Sequence, residues 1–151
     1  MKFSLFSLII LKKYIMRNIM RNIIDKLGAS VLLALFIASG MNKIMNFDAT
    51  VKLIGTKTGF NKLLSQLAIV GAIALLVFGS LFLLYTIFFE TYKKNEYERK
   101  MSVFVVVLFL VFMVLATGLF HNFLKDPLEK INFMKNLSIT GGFLLLLNIF
   151  L

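Results

Sequence analysis

The order of apolar and polar positions along the chain sets its architecture before any single residue does. Four stretches lack charge altogether: Leu27 to Asn42, 16 residues; Leu63 to Phe89, 27; Met101 to Leu124, 24; and Asn136 to Leu151, 16. A helix needs roughly 20 apolar residues to cross a hydrocarbon core of about 30 Å. The middle two stretches are long enough unaided. The outer two reach that length only if their helices continue past a lysine, Lys43 in one case and Lys135 in the other. Irregular backbone in lipid would leave peptide groups without hydrogen-bond partners, so each stretch is expected to be helical. The reading is an all-α, integral membrane four-helix bundle with spans near 27–46, 64–89, 101–124 and 130–151.

Residues 1–26 follow a different pattern. Apolar side chains recur at Ile15, Met16, Ile19, Met20, Ile23, Ile24 and Leu27, with Lys13, Arg17 and Arg21 on another face. That spacing predicts a basic amphipathic helix lying on a membrane surface ahead of the bundle. Phe3 to Leu11 has the apolar character of a signal-peptide core, but it is short. It lacks a small-x-small cleavage site and runs into Lys12-Lys13. The chain therefore divides into an interfacial segment, 1–26, and a membrane domain, 27–151.

Composition agrees with this class. Hydrophobic residues make up 60% of the 151 positions and charged residues only 16%, and mean hydropathy is +0.91. A formal charge of +10 in a soluble protein would suggest nucleic acid. Here the charges sit in short blocks between long apolar runs, which points instead to anionic lipid headgroups and away from nucleic acid. With no cysteine and one histidine, thiol chemistry, a multi-histidine metal centre and a heme ligand pair are excluded. Homo-oligomerisation is left open.

Basic residues also orient the bundle. With the N-terminus inside, the cytoplasmic segments carry Lys2, Lys12, Lys13, Arg17, Arg21, Lys26, Lys93, Lys94, Arg99 and Lys100. The opposite side carries Lys43, Lys52, Lys57, Lys62, Lys125, Lys130 and Lys135. The excess favours both termini in the cytoplasm. The charged stretch TYKKNEYERK then reads as a solvated connection between the second and third spans.

The fourth helix announces its own start. Asp126-Pro127-Leu128-Glu129 offers an N-cap acid, proline at the first helical position and glutamate at the third. Lys135 and Asn136 then fall inside the helix. Small residues within membrane helices let backbones approach, which marks Gly40, Ala34 and Ala38 on the first span as packing positions. Ala68 and Ala72 on the second, and Gly141 and Gly142 on the fourth, are marked in the same way.

Polar residues concentrate at one depth. Ser39, Lys43 and Asn46 are spaced four and three apart and share a helical face. Gln66 lies near the start of the second span, Thr117 and His121 near the end of the third, and Lys135 and Asn136 near the start of the fourth. These eight positions are the candidate site, a polar pocket at the outer ends of the helices, with inner halves that read as almost purely apolar. Two ammonium groups and an imidazole suit an anionic group or the carbonyl oxygens of a quinone. Snorkelling of each lysine to headgroups is the competing structural account. Gly55-Thr56-Lys57-Thr58 echoes a phosphate loop, but GxxxxGK[ST] is absent.

Several of these residues resemble the DoxX family of small four-helix membrane proteins. Its first-helix pattern is matched by Gly28, Ser39, Gly40, Lys43 and Phe47, and its third-helix histidine and aromatic by His121 and Phe123. Its last-helix signature is matched by Phe133, Lys135, Asn136, Gly141 and Gly142. The resemblance covers roughly residues 20 to 151. It implies an accessory subunit of a membrane oxidoreductase complex that contacts a bound quinone, beside a redox partner subunit, rather than a stand-alone enzyme. No covalent cofactor or metal is expected. A lipid- or small-molecule-binding protein and a purely structural membrane protein are the alternatives.

Overall fold

The computed structural model describes residues 5–120 and 127–151. Among them there is no strand. Helix α1 runs Leu5–Met45 and α2 runs Phe47–Thr58. Helix α3 occupies Lys62–Phe89, with one π-helical turn at Leu75–Gly79. A short α4, Thr91–Lys94, leads into α5, Glu96–Phe120. A 3-10 turn at Pro127–Glu129 opens α6, Lys130–Phe150.

Four of these helical segments are long and apolar enough to cross a bilayer: Ile10–Met45, Lys62–Phe89, Glu96–Phe120 and Pro127–Phe150. Only 17% to 22% of each apolar window is buried inside the bundle. Val31, Phe78, Val114 and Leu145 all face outward. Water would not tolerate that surface, whereas lipid tails would, so the chain is a multi-pass integral membrane protein.

The helices run alternately, with α1 and α5 in one direction and α3 and α6 in the other. Their core is knitted by aromatic rings. Phe36 of α1 meets Phe109 of α5 edge-on at 5.3 Å and Phe143 of α6 at 4.9 Å, while Phe109 and Phe143 stack at 4.8 Å. Leu33, Leu76, Leu83 and Val106 close around them with no exposed surface. Edge-to-face and offset-stacked pairs are favoured arrangements of ring quadrupoles, so three helices hold one mutual register. The fourth, α3, is drawn in at Gly40, where a Cβ would lie 2.6 Å from Val77 of the π-turn. A side chain at position 40 would hold α1 and α3 apart at this crossing.

From Leu5 onward the N-terminal segment and the first span belong to the single 41-residue α1. The stretch between the first two spans contains α2. Its Val51 is buried, and it ends at Gly59 in the left-handed region (φ 76°), whose N–H donates to the Gly55 carbonyl. The phosphate-loop echo is the last turn of that helix. Lastly, the inner halves are not wholly apolar: Ser80 and Thr86 of α3 and Ser102 of α5 are completely buried. The Ser102 hydroxyl donates to the Glu98 carbonyl at 2.8 Å and lies 3.3 Å from Thr86 Oγ1. The third span is described to Phe120, and its expected last residues, 121–124, lie outside the described residues, as does the Asp126 cap.

The glycines of α1 should therefore respond in opposite ways. Gly40→Ala is expected to destabilise the detergent-solubilised protein by about 1–3 kcal/mol through overpacking against Val77. Gly28→Ala meets nothing within 4 Å and should be neutral or stabilising, because alanine is the better helix former. Melting temperatures of the two variants in one detergent check this, and a Gly40→Ala protein as stable as the wild type would contradict the close crossing.

Candidate functional site

The ring cluster fixes the level of the polar residues. Seven residues along a helix are almost two turns, so they return to the same face within about 20° and advance about 10 Å. Lys43 is seven residues beyond Phe36, and Asn136 is seven before Phe143 on the antiparallel α6. On α5, Ala116 is seven beyond Phe109, and Thr117 follows it. Lys43, Thr117 and Asn136 therefore form a layer two turns beyond the rings, at the end of the bundle where α1 meets α2.

Within that layer Asn136 is 8% exposed, and its carbonyl accepts a hydrogen bond from Thr140 Oγ1 at 2.8 Å. Lys43 and Thr117 are half-buried. The Lys43 ammonium donates to Ser39 Oγ at 3.0 Å, one turn back along α1. A lysine folded back on its own helix is held near the bundle rather than extended toward headgroups.

The other candidates lie elsewhere. Asn46 is exposed and bonds Asn42, its amide donating to Oδ1 at 2.7 Å and to the carbonyl at 3.0 Å. It thus secures the junction of α1 with α2. Gln66 is half-buried but stands about 12 Å further out, because Gly40 faces Val77 and Gln66 is eleven residues from it on α3. Lys135 is exposed, turned away from the core. His121 lies outside the described residues. Among the packing positions, Gly40 is buried and Ala72 half-buried, while Ala34, Ala38 and Ala68 are exposed. A Cβ on Gly142 would meet Leu32 at 3.5 Å, an ordinary contact, whereas one on Gly141 would meet nothing within 4 Å.

Beside this layer an apolar groove of about 600 Å³ runs along the seam of α1 and α6. Ile24, Leu27, Gly28, Val31, Leu32 and Leu35 line one wall, with Ser138, Ile139 and Gly142 on the other. Sequence periodicity does not reveal a groove of this kind, because nothing local distinguishes a lipid-facing leucine from one beside a furrow.

The opposite end of the bundle is built around one acid. Glu90 ends α3 in the left-handed region at φ 54°. Its carboxylate accepts from Asn22 Nδ2 at 2.8 Å and from Lys26 and Lys93 Nζ, each at 2.9 Å. Asn22 and Lys26 share a face of α1, so one carboxylate clamps that helix to the α3–α5 connection. Tyr92 of the same connection packs edge-on against Phe150 at 5.1 Å. The connection is therefore anchored at both neighbours and is not simply solvated. The ion pairs formed between described residues, Arg21–Asp25, Lys26–Glu90, Lys93–Glu90 and Lys100–Glu96, all lie at this end. Lys43 has no carboxylate partner among the described residues.

Compared with protein-family models, curated proteins and solved structures, the chain matches none of them. Among the described residues no group of three His, Cys, Asp or Glu is placed to hold a metal ion.

The clamp has a defined pH signature. Hydrogen bonds from Asn22, Lys26 and Lys93 hold the Glu90 carboxyl down to about 2 from its usual 4.5. A carboxyl depressed by folding stabilises fully above its unfolded value and loses that contribution as pH falls through the folded one. Glu90→Gln should therefore cost no more than about 2 kcal/mol, since two partly exposed pairs contribute about 0–1 kcal/mol each. The difference in melting temperature between wild type and variant should stay constant down to about pH 4.5 and vanish toward about pH 2. A difference already gone at neutral pH would show that the clamp contributes nothing.

Proposed function

We propose that this protein is an accessory subunit of a membrane oxidoreductase complex, holding the head of a quinone in the Lys43–Thr117–Asn136 layer. The observation that carries this reading is Lys43 itself. It is a half-buried cation in a membrane-spanning helix, bonded only to a neutral hydroxyl and level with a buried amide. A charge in that position is costly, and its usual partner is an acid or a ligand. No acid is paired with it among the described residues. A quinone carbonyl supplies acceptors for the ammonium and for the Asn136 amide, and its apolar tail needs no charge.

The resemblance to the DoxX family supports the same reading, because Lys43 and Asn136 are among the residues that carry it. The chain offers no thiol and no metal cluster among the described residues, so electrons would reach the quinone from a partner subunit. The basic excess around α1 and the α3–α5 connection favours an orientation with the Glu90 end and both termini in the cytoplasm. There the cationic face of α1 lies close to anionic headgroups.

Binding of a fluorescent or radiolabelled quinone analogue to the full chain in nanodiscs tests the reading. Lys43→Gln and Asn136→Leu should each weaken it about tenfold, the loss of one buried charge-assisted or amide hydrogen bond, with the melting temperature little changed. Undiminished binding in both variants, or none in the wild type, would sink the quinone assignment. Protease access to tags at the two ends, on vesicles of known orientation, checks the topology; cleavage from opposite sides would refute it.

A further inference from the structure

The α1–α6 seam has a polar head as well as an apolar floor. Leu32 and Gly142 face each other across it, 3.5 Å from a Cβ on the glycine. Ser39 is seven residues beyond Leu32 on α1, and Lys135 is seven before Gly142 on the antiparallel α6. Both therefore stand about 10 Å past that contact, flanking one end of the seam. Ser39 brings the Lys43 ammonium with it, through the 3.0 Å hydrogen bond. Two cations thus stand over an apolar furrow that faces the lipid.

Dimensions agree with a lipid chain. From Ile24 to Leu35, the extent of the α1 wall, is about 16 Å at 1.5 Å per residue. The wall begins beside the Glu90 clamp, between Asn22 and Lys26, so a chain lying along it from the level of Ser39 runs through most of the hydrocarbon thickness of about 30 Å. Gly28 leaves the floor open, with nothing within 4 Å of where its Cβ would be. The further step from Leu35 to Ser39, about 6 Å, leaves room for a glycerol backbone between chain and headgroup.

We infer that the α1–α6 seam binds one acyl chain of an anionic membrane phospholipid, whose phosphate is held between Lys43 and Lys135. Charge complementarity selects this occupant. A second copy of the chain would bring further lysines to that end, and a zwitterionic lipid would place a choline cation beside the two ammonium groups. The site goes beyond the quinone reading and shares only Lys43 with it. Asn136 faces the core and Gly28 faces the seam, so the two readings fail separately.

Native mass spectrometry of the full-length protein, from mixed micelles of phosphatidylglycerol and phosphatidylcholine with identical chains, tests the inference. The wild type should retain phosphatidylglycerol in preference to phosphatidylcholine by about tenfold, the size of one charge-assisted contact. Lys135→Gln should abolish the preference and Lys135→Arg should keep it. Gly28→Leu fills the floor in open space with a better helix former, so it should fold and lose bound lipid of both kinds. Asn136→Leu should leave the preference intact. Equal retention of the two lipids by the wild type overturns the inference. So does a preference that survives Lys135→Gln, or lipid retention unaltered by Gly28→Leu.

Discussion

The contact of Phe36, Phe109 and Phe143 is the constraint on which the rest of this bundle depends. In a bilayer there is little hydrophobic drive to bring one apolar helix against another, since lipid tails are as apolar as leucine. Specific packing must supply the register instead. Three rings from three helices, two edge-on pairs and one stack, can be satisfied together in only a narrow range of relative heights. Everything two turns away inherits that alignment. Lys43, Thr117 and Asn136 share a level because the rings below them do, and α3 joins at the bare backbone of Gly40.

The two ends of the bundle then differ in electrostatic character. At one, Glu90 gathers Asn22, Lys26 and Lys93 around a single carboxylate, and the α3–α5 connection is tied to α1 and, through Tyr92, to α6. At the other, Lys43 and Lys135 have no such acid among the described residues. Charges that are neutralised inside the chain hold structure, while charges left over invite something from outside it. Both proposed ligands, the quinone head and the lipid phosphate, are assigned to the second end on that ground.

Helix α2 and the π-turn show how tertiary contact can override an ordinary expectation. The α2 segment has the spacing of a short amphipathic helix, Phe47, Val51, Ile54 and Thr58 ahead of Gly59, and that signal was available. It was hidden by the segment's position between two spans, where a loop is the default. The π-turn at Leu75–Gly79 has no local sequence mark. It lies where Val77 meets Gly40, in keeping with the association of such turns with special sites. The buried hydroxyls of Ser80, Thr86 and Ser102 were equally unforeseen. A serine in an apolar run reads the same whether it faces lipid or a neighbouring helix.

The sequence by itself determined the class of this protein, the number of its membrane-crossing helices and the inclusion of Lys43, Lys135 and Asn136 within them. Those properties follow from counts of apolar residues and from the chemistry of proline, and both are local. Tertiary structure alone decided which polar residues meet. It set Lys43 level with Asn136, left Gln66 about two turns away and turned Lys135 away from the core. It also joined Glu90 to lysines and an asparagine as far as 68 residues distant in the chain. Helical periodicity gives each residue an angle on its own helix but says nothing of the height or rotation of the next. Only the packing of side chains between helices supplies those two quantities.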